Sequence, residues 1–335
     1  MKIFFRFSLI YLAASLALTA SVRDFGVEIV SEAATSALAM AWVLGRRAVW
    51  VVPLFLAVSL IMGRQKLTGK MNLIGYAAFG SIIMQVAFSF LKSAIPDMVP
   101  FYADPALADF DQWLHGGVAP WITVHGWASG LPVGALLPVY VVGWSFPAFA
   151  LPLVVALADR DRERGARFLV LYVFCWLGLG NVLAIAGSSV GPVFYDAVFG
   201  SDRFAGLSAA LAESGVSATQ IGQMQGYLWQ GYASGDLALG SGISAFPSVH
   251  VGVATLTALY LGERSRWLIL PGVAFVAVIL FLSVYTGYHY AVDGYFSIMA
   301  MTMAWVALRR ARLSELRLVP GWWRQDALVD GNGTG

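Results

Sequence analysis

Residues 240–250 read Gly-Ser-Gly-Ile-Ser-Ala-Phe-Pro-Ser-Val-His, and residues 285–293 read Tyr-Thr-Gly-Tyr-His-Tyr-Ala-Val-Asp. Each is a short polar, glycine-containing approach to an apolar run, 248–261 in the first case and 290–308 in the second. A third apolar run, 267–285, separates them. Crossing the hydrocarbon core takes about 20 mostly apolar residues. If one run leads away from a membrane face and the next returns to it, both polar approaches lie on the same face.

The pattern continues upstream, with apolar runs at 168–185, 131–157, 73–91 and 3–20. A run at 50–62 is less regular. Arg46 and Arg47 interrupt it, and 27–44 reads equally well as an interfacial helix. The expected fold is an all-α polytopic membrane protein. It has an N-terminal membrane extension of one or two spans over residues 1–70, a six-span catalytic core over 71–310 and a cytoplasmic tail over 311–335.

Composition agrees. The chain is 59% hydrophobic and 12% charged, against about 25% charged in soluble domains. So few charges cannot cover a surface, and much of it must face lipid. A net charge of +2 gives no footprint for nucleic acid. The single cysteine, Cys175, excludes an internal disulfide framework and argues against a cysteine metal site. At the N-terminus, Lys2 and Arg6 precede an apolar stretch ending Leu18-Thr19-Ala20. That is compatible with a signal peptide, but an uncleaved span is the reading taken, since the rest of the chain is membrane-embedded.

Basic residues gather at 63–70, 159–167, 262–266 and 309–317. Short cytoplasmic loops carry such an excess, and the spans between these loops come in pairs. Segments 92–130, 186–247 and 285–289 then share the non-cytoplasmic face, expected to be that of a cell inner membrane.

The glycines of 240–250 let backbone approach a ligand closely, Gly242 included. Pro247 suits a first helical turn, and Ser244 or Ser248 can cap it. A helix start offers unpaired N–H groups and a positive dipole end to a phosphate, with His250 in its first turn. Downstream, His289 and Asp293 are four apart and would share a helix face. A carboxylate beside an imidazole fixes its tautomer and strengthens the other nitrogen as a nucleophile. The plain alternatives are a capped helix start and a satisfied polar pair. Ionisable residues in spans are nevertheless rare and functional by default. Two of the four histidines, on one face, suit in-line phosphoryl transfer with a nucleophile and a general acid on opposite sides of phosphorus.

Phe246-Pro247-Ser248-x-His250 followed by His289-x-x-x-Asp293 resembles the type 2 phosphatidic acid phosphatase superfamily. Its closest branch is the aureobasidin-resistance, or inositol phosphorylceramide synthase, group, which residues 187–196 and 104–115 also resemble. The resemblance covers roughly residues 73–308. It implies a six-helix phosphatidic acid phosphatase-type core with the site at its non-cytoplasmic end. His289 would attack phosphorus and form a phosphohistidine, Asp293 would support it, and His250 would move the proton. The expected substrates are a membrane lipid donor and a lipid or polyol acceptor; no cofactor is expected, and no metal either, because no third ligand of suitable type stands near the histidines in sequence. Ser248, Gly242, Ser244 and Tyr195 are the expected substrate contacts.

Two departures concern charge. The superfamily's Lys-x6-Arg-Pro pattern would fall at 188–195, where no basic residue stands, and the arginine usual six positions before the second histidine is Ser283 here. Arg203 and Lys92 are the candidate substitutes on the same face. A phosphodiester, with one negative charge, would need fewer cations than a monoester.

The remaining polar residues have plainer readings. His115 and His125 lie in a stretch read as re-entrant or interfacial, anchored by Trp113, Trp121 and Trp127. Asp104, Asp109 and Asp111 read as solvated loop residues, with cation or sugar binding as the alternative. Residues 224–229 and Tyr232 would form a lid or rest on the membrane interface. Transfer to an alcohol and hydrolysis by water use the same two histidines. A transporter would place its ionisable groups near the midplane, and no inverted repeat is present. A rhomboid-type protease would want Gly-x-Ser-Gly, which residues 239–242 do not supply.

Overall fold

The computed structural model describes residues 1–23, 71–130, 132–235 and 242–311. The candidate run at 50–62 and the tail after 311 lie outside them. Among the described residues every regular element is helical.

The long helices are α1 (Lys2–Val22), α2 (Met71–Ser93), α5 (Trp144–Ala158), α6 (Arg162–Val173), α10 (Val249–Arg264), α11 (Ile269–Tyr285) and α12 (Ala291–Arg310). Shorter helices α3 (Asp104–Leu114), α4 (Pro120–Ala128), α7 (Pro192–Phe199), α8 (Ala205–Glu213) and α9 (Gln220–Ser234) gather between them at one end. Among the described residues six segments are long and apolar enough to cross a membrane: Lys2–Val22, Met71–Met98, Val133–Ala158, Arg162–Ala186, Arg266–Tyr285 and Ala291–Arg310. Helix α10, with 16 residues, is shorter. It packs against α5, α6, α11 and α12 and forms the centre of the bundle. Its Thr255 and Thr257 hydroxyls donate to the carbonyls of Val251 and Val253. Both hydroxyls are thereby satisfied within the helix.

Two spans are not plain α-helix. Val139–Gly143 and Phe174–Leu183 are wound as π-helix. Such turns often mark functional positions because they re-aim side chains. The first carries Tyr140 and leads into Trp144, both of which reach the site.

Helix α1 runs parallel to α2. Its Tyr11 hydroxyl donates to Asn181, Thr19 donates to the Phe90 carbonyl at 3.4 Å and Arg23 pairs with Asp97. At the end opposite the short helices, Arg164 binds Asp159 at 2.7 Å and Arg167 binds Glu263 at 2.6 Å, with Trp305 donating to Glu263. These contacts fasten α6, α10 and α12 together. The positive loops of the sequence are in part paired charges.

The segment 92–130 is largely helical. Asp104 and Asp111 are buried, at 0% and 3% exposure, which corrects their reading as solvated loop residues. Their carboxylates stay inside because backbone amides from distant segments converge on them.

Candidate active site

Three segments meet at the end of the bundle, and Asp104 joins them. One carboxylate oxygen accepts from the Val190 N–H at 2.8 Å. The other accepts from the Gly191 N–H at 2.9 Å and the Tyr290 hydroxyl at 3.0 Å. Gly191 has φ +85°, and a Cβ there would lie 2.6 Å from the Tyr288 carbonyl, so the position excludes side chains. From this anchored segment, Ser189 holds the approach to α10. Its carbonyl accepts from the Ala245 N–H and its hydroxyl from the Phe246 N–H, both at 2.9 Å.

Ser248 caps α10, its hydroxyl accepting from the Val251 N–H. It is fully buried, and it does not line the cavity described below. Pro247 precedes the cap and is outside the first turn where the sequence reading set it. Gly242 approaches backbone, not a ligand: a Cβ on it would lie 2.7 Å from the carbonyl carbon of Lys92 and the nitrogen of Ser93.

His289 does not share a helix with Asp293. It lies in the turn before α12, whose N-cap is Tyr290. Asp293 accepts from the Tyr290 N–H at 3.0 Å, and Asp111 accepts from the N–H groups of Ala291 and Val292 at 3.2 and 3.0 Å. Two carboxylates thus serve the positive end of one helix. The His289 Nδ1 is 2.8 Å from the Ala245 carbonyl and 3.5 Å from the Asp293 carboxylate. A carbonyl only accepts, so Nδ1 carries the proton and Nε2 is the free lone pair. The group that orients His289 is therefore Ala245, with the Asp293 carboxyl one step back. Burial first, then the Lys92 charge, hold this imidazole well below its ordinary range, to about 3.

The His250 ring lies between Tyr140, with centroids 4.6 Å apart, and Trp144, at 4.1 Å. The Trp144 indole N–H also donates to the His250 carbonyl at 3.0 Å. No described residue hydrogen-bonds either ring nitrogen. The His250 and His289 ring centroids are 6.0 Å apart. Both line one cavity of about 390 Å³ together with Lys92, Ser244 and Tyr288. Val141, Trp144 and Phe149 also line it, as do Met224 and Leu228 of α9.

The other candidates are elsewhere. Arg203 binds Asp109 at 2.7 Å and Gln112 at 3.3 Å, and lines a separate cleft of about 260 Å³ that shares only His289 with the first. Tyr195 is buried against Phe199 and Phe204. His115 bonds to the Asp111 carbonyl and the Tyr295 hydroxyl, and His125 to the Tyr285 carbonyl. Ser283, in the place of the usual arginine, is buried and donates to the Tyr140 hydroxyl at 3.4 Å. The sequence reading missed Tyr140, Trp144 and Ser189. The spacing of four between Tyr140 and Trp144 was the one available signal for two of them.

The sequence matches the PAP2 superfamily over residues 105–310, more than half of the chain, and the protein belongs to that family. Members are generally phosphatases or phosphotransferases, which makes this chain an enzyme of that class at the level of the superfamily. No curated protein and no solved structure matches it.

Proposed function

We propose that the protein moves a phosphate-containing head group from a membrane lipid donor to a lipid or polyol alcohol. The observation that carries this reading is the pair of imidazoles in one cavity, 6.0 Å apart, one with its Nε2 lone pair left free. In the first step Nε2 of His289 attacks phosphorus, the bond to the leaving oxygen breaks and His250 gives that oxygen a proton. In the second, His250 takes the proton of the incoming hydroxyl, whose oxygen attacks phosphorus as the P–N bond breaks. Asp293 offsets the positive charge of the phosphorylated imidazole.

Two features favour an alcohol acceptor over water. The cavity is lined largely by apolar side chains, and Met224 and Leu228 of α9 stand in its wall, so it offers room for a lipid-type acceptor. The finer reading follows the motif resemblance: an inositol phosphorylceramide synthase-like transferase of sphingolipid metabolism, with its site on the non-cytoplasmic face of a cell inner membrane. Hydrolysis of a lipid phosphate is the second reading, and it uses the same residues.

Mass spectrometry of lipids from cells with and without the protein tests the proposal. A new or enriched head-group species on an acceptor lipid is the expected result. Loss of a lipid phosphate with no transferred product would establish hydrolysis instead.

A further inference from the structure

We infer that Lys92 is the cation that contacts the phosphate in this cavity, delivered from a helix outside the part of the chain that matches the family. The inference rests on the phosphate-transfer reading and supplies the charge which that reading lacks. A phosphate in a site of low dielectric needs a positive partner. The two positions where the family resemblance expects cations hold residues 188–195, without a basic residue, and Ser283. Arg203 is committed to Asp109 and Gln112 and lines the other cleft. Lys92 is the one basic side chain among the described residues that lines the cavity with His250 and His289.

Its surroundings hold it there. No carboxylate of the described residues pairs with it, and its ammonium lies 5.8 Å from the Phe88 ring centroid, one turn back on α2. A lysine near the end of a span ordinarily stretches out to the interface. Here the approach to α10 lies directly on its backbone, because Gly242 leaves no Cβ to hold the two apart. This contact places the ammonium and the two histidines around one space. One cation also matches one negative charge, so a phosphodiester is the better fit.

The test uses the full chain in detergent or nanodiscs, with Lys92→Cys and Lys92→Gln. Cys175, the only other cysteine, is buried. Alkylating Lys92→Cys with 2-bromoethylamine restores a side-chain amine, while iodoacetamide adds a neutral group of similar size. Turnover of a nitrophenyl phosphodiester and binding of orthovanadate are measured for each form. Both variants should lose on the order of a hundredfold in turnover and lose vanadate binding. Aminoethylation should return both, and carbamidomethylation neither. Equal rescue by the two reagents, or a Lys92→Gln protein within about threefold of wild type, would overturn the assignment. A wild type that binds vanadate through Lys92 yet turns over no ester would uphold Lys92 and remove the transfer reading instead.

Discussion

His289 donates its Nδ1 proton to the carbonyl oxygen of Ala245 at 2.8 Å, across a gap of 44 positions in the chain. The proposed nucleophile is thus oriented by the same loop that leads into the helix of His250, the proposed proton carrier. A shift of the 242–248 approach would misalign both imidazoles together.

This relationship changes what Asp293 is expected to do. Asp293→Asn keeps an oxygen to accept from the Tyr290 N–H, and Ala245 still fixes the His289 tautomer. What is lost is the carboxyl 3.5 Å from Nδ1 that, in the proposed mechanism, offsets the charge of the phosphorylated imidazole. A charge-assisted contact is worth about 1.5–3 kcal/mol, so turnover should fall roughly ten- to a hundredfold with little change in unfolding temperature. Asp293→Ala also removes the cap, about 1 kcal/mol, and should melt lower. Equal melting of the two variants would separate Asp293 from the cap.

The pH profile should carry no trace of an ordinary histidine at position 289. Its pKa is held at about 3 by burial and the Lys92 charge, against about 6.5 for a free imidazole. The neutral form is the nucleophile, so capacity is present above the lowered value and is lost only as pH falls through it. Phospho-enzyme formation from a nitrophenyl donor, which needs no proton on its leaving group, should be flat between about pH 5 and 8. A half-loss centred near 6.5 would mean that His289 is exposed to solvent in the working enzyme.

Asp104 should matter for stability more than its place in a polar stretch suggests. Its carboxylate accepts from Val190, Gly191 and Tyr290 in a buried setting. Each stranded buried donor costs on the order of 1–3 kcal/mol. Asp104→Ala should therefore lower the unfolding temperature markedly or prevent accumulation of folded protein, whereas exposed Asp109→Ala should not. Similar melting curves for the two variants would contradict the role assigned to Asp104.

The contrast between Asp104 and His250 shows what a single sequence displays. The spans, and the two polar approaches that open α10 and α12, depend on hydrophobic runs and on residues a few positions apart, and those patterns are local. Asp104 and Asp111 serve amides about 90 and 180 positions away, and nothing near them in sequence distinguishes a buried cap from a solvated carboxylate. Gly242 and Lys92 are likewise far apart, by 150 positions. The glycine was legible as a close approach, but its partner was not. The π-wound turn under Tyr140 left no mark either.

The orientation drawn from the basic loops is open to direct measurement. Ser234, at the end of α9, is on the same end of the bundle as the cavity. A Ser234→Cys protein should react with a membrane-impermeant maleimide in intact cells, while buried Cys175 stays silent. Labelling that appears only after lysis would put the site on the cytoplasmic face.

The division of labour between the histidines gives the most specific expectation. His289 has its tautomer fixed and a carboxylate nearby, as suits a nitrogen that becomes cationic on phosphorylation. Among the described residues the His250 ring is held by the faces of Tyr140 and Trp144, and none of them hydrogen-bonds a ring nitrogen, as suits proton exchange. His289→Ala should abolish turnover and any acid-labile phosphate on the protein. His250→Ala should lower the rate with an alkyl phosphate ester by about 10²–10⁴, the range for losing a positioned general acid. With a nitrophenyl ester, whose leaving group departs unprotonated, most of the first step should return, and phosphate should accumulate on His289 because no base activates the acceptor. Rapid-quench measurement of bound phosphate with both esters separates the two roles. Equal losses with both esters, or bound phosphate on the His289→Ala protein, would reverse the assignment.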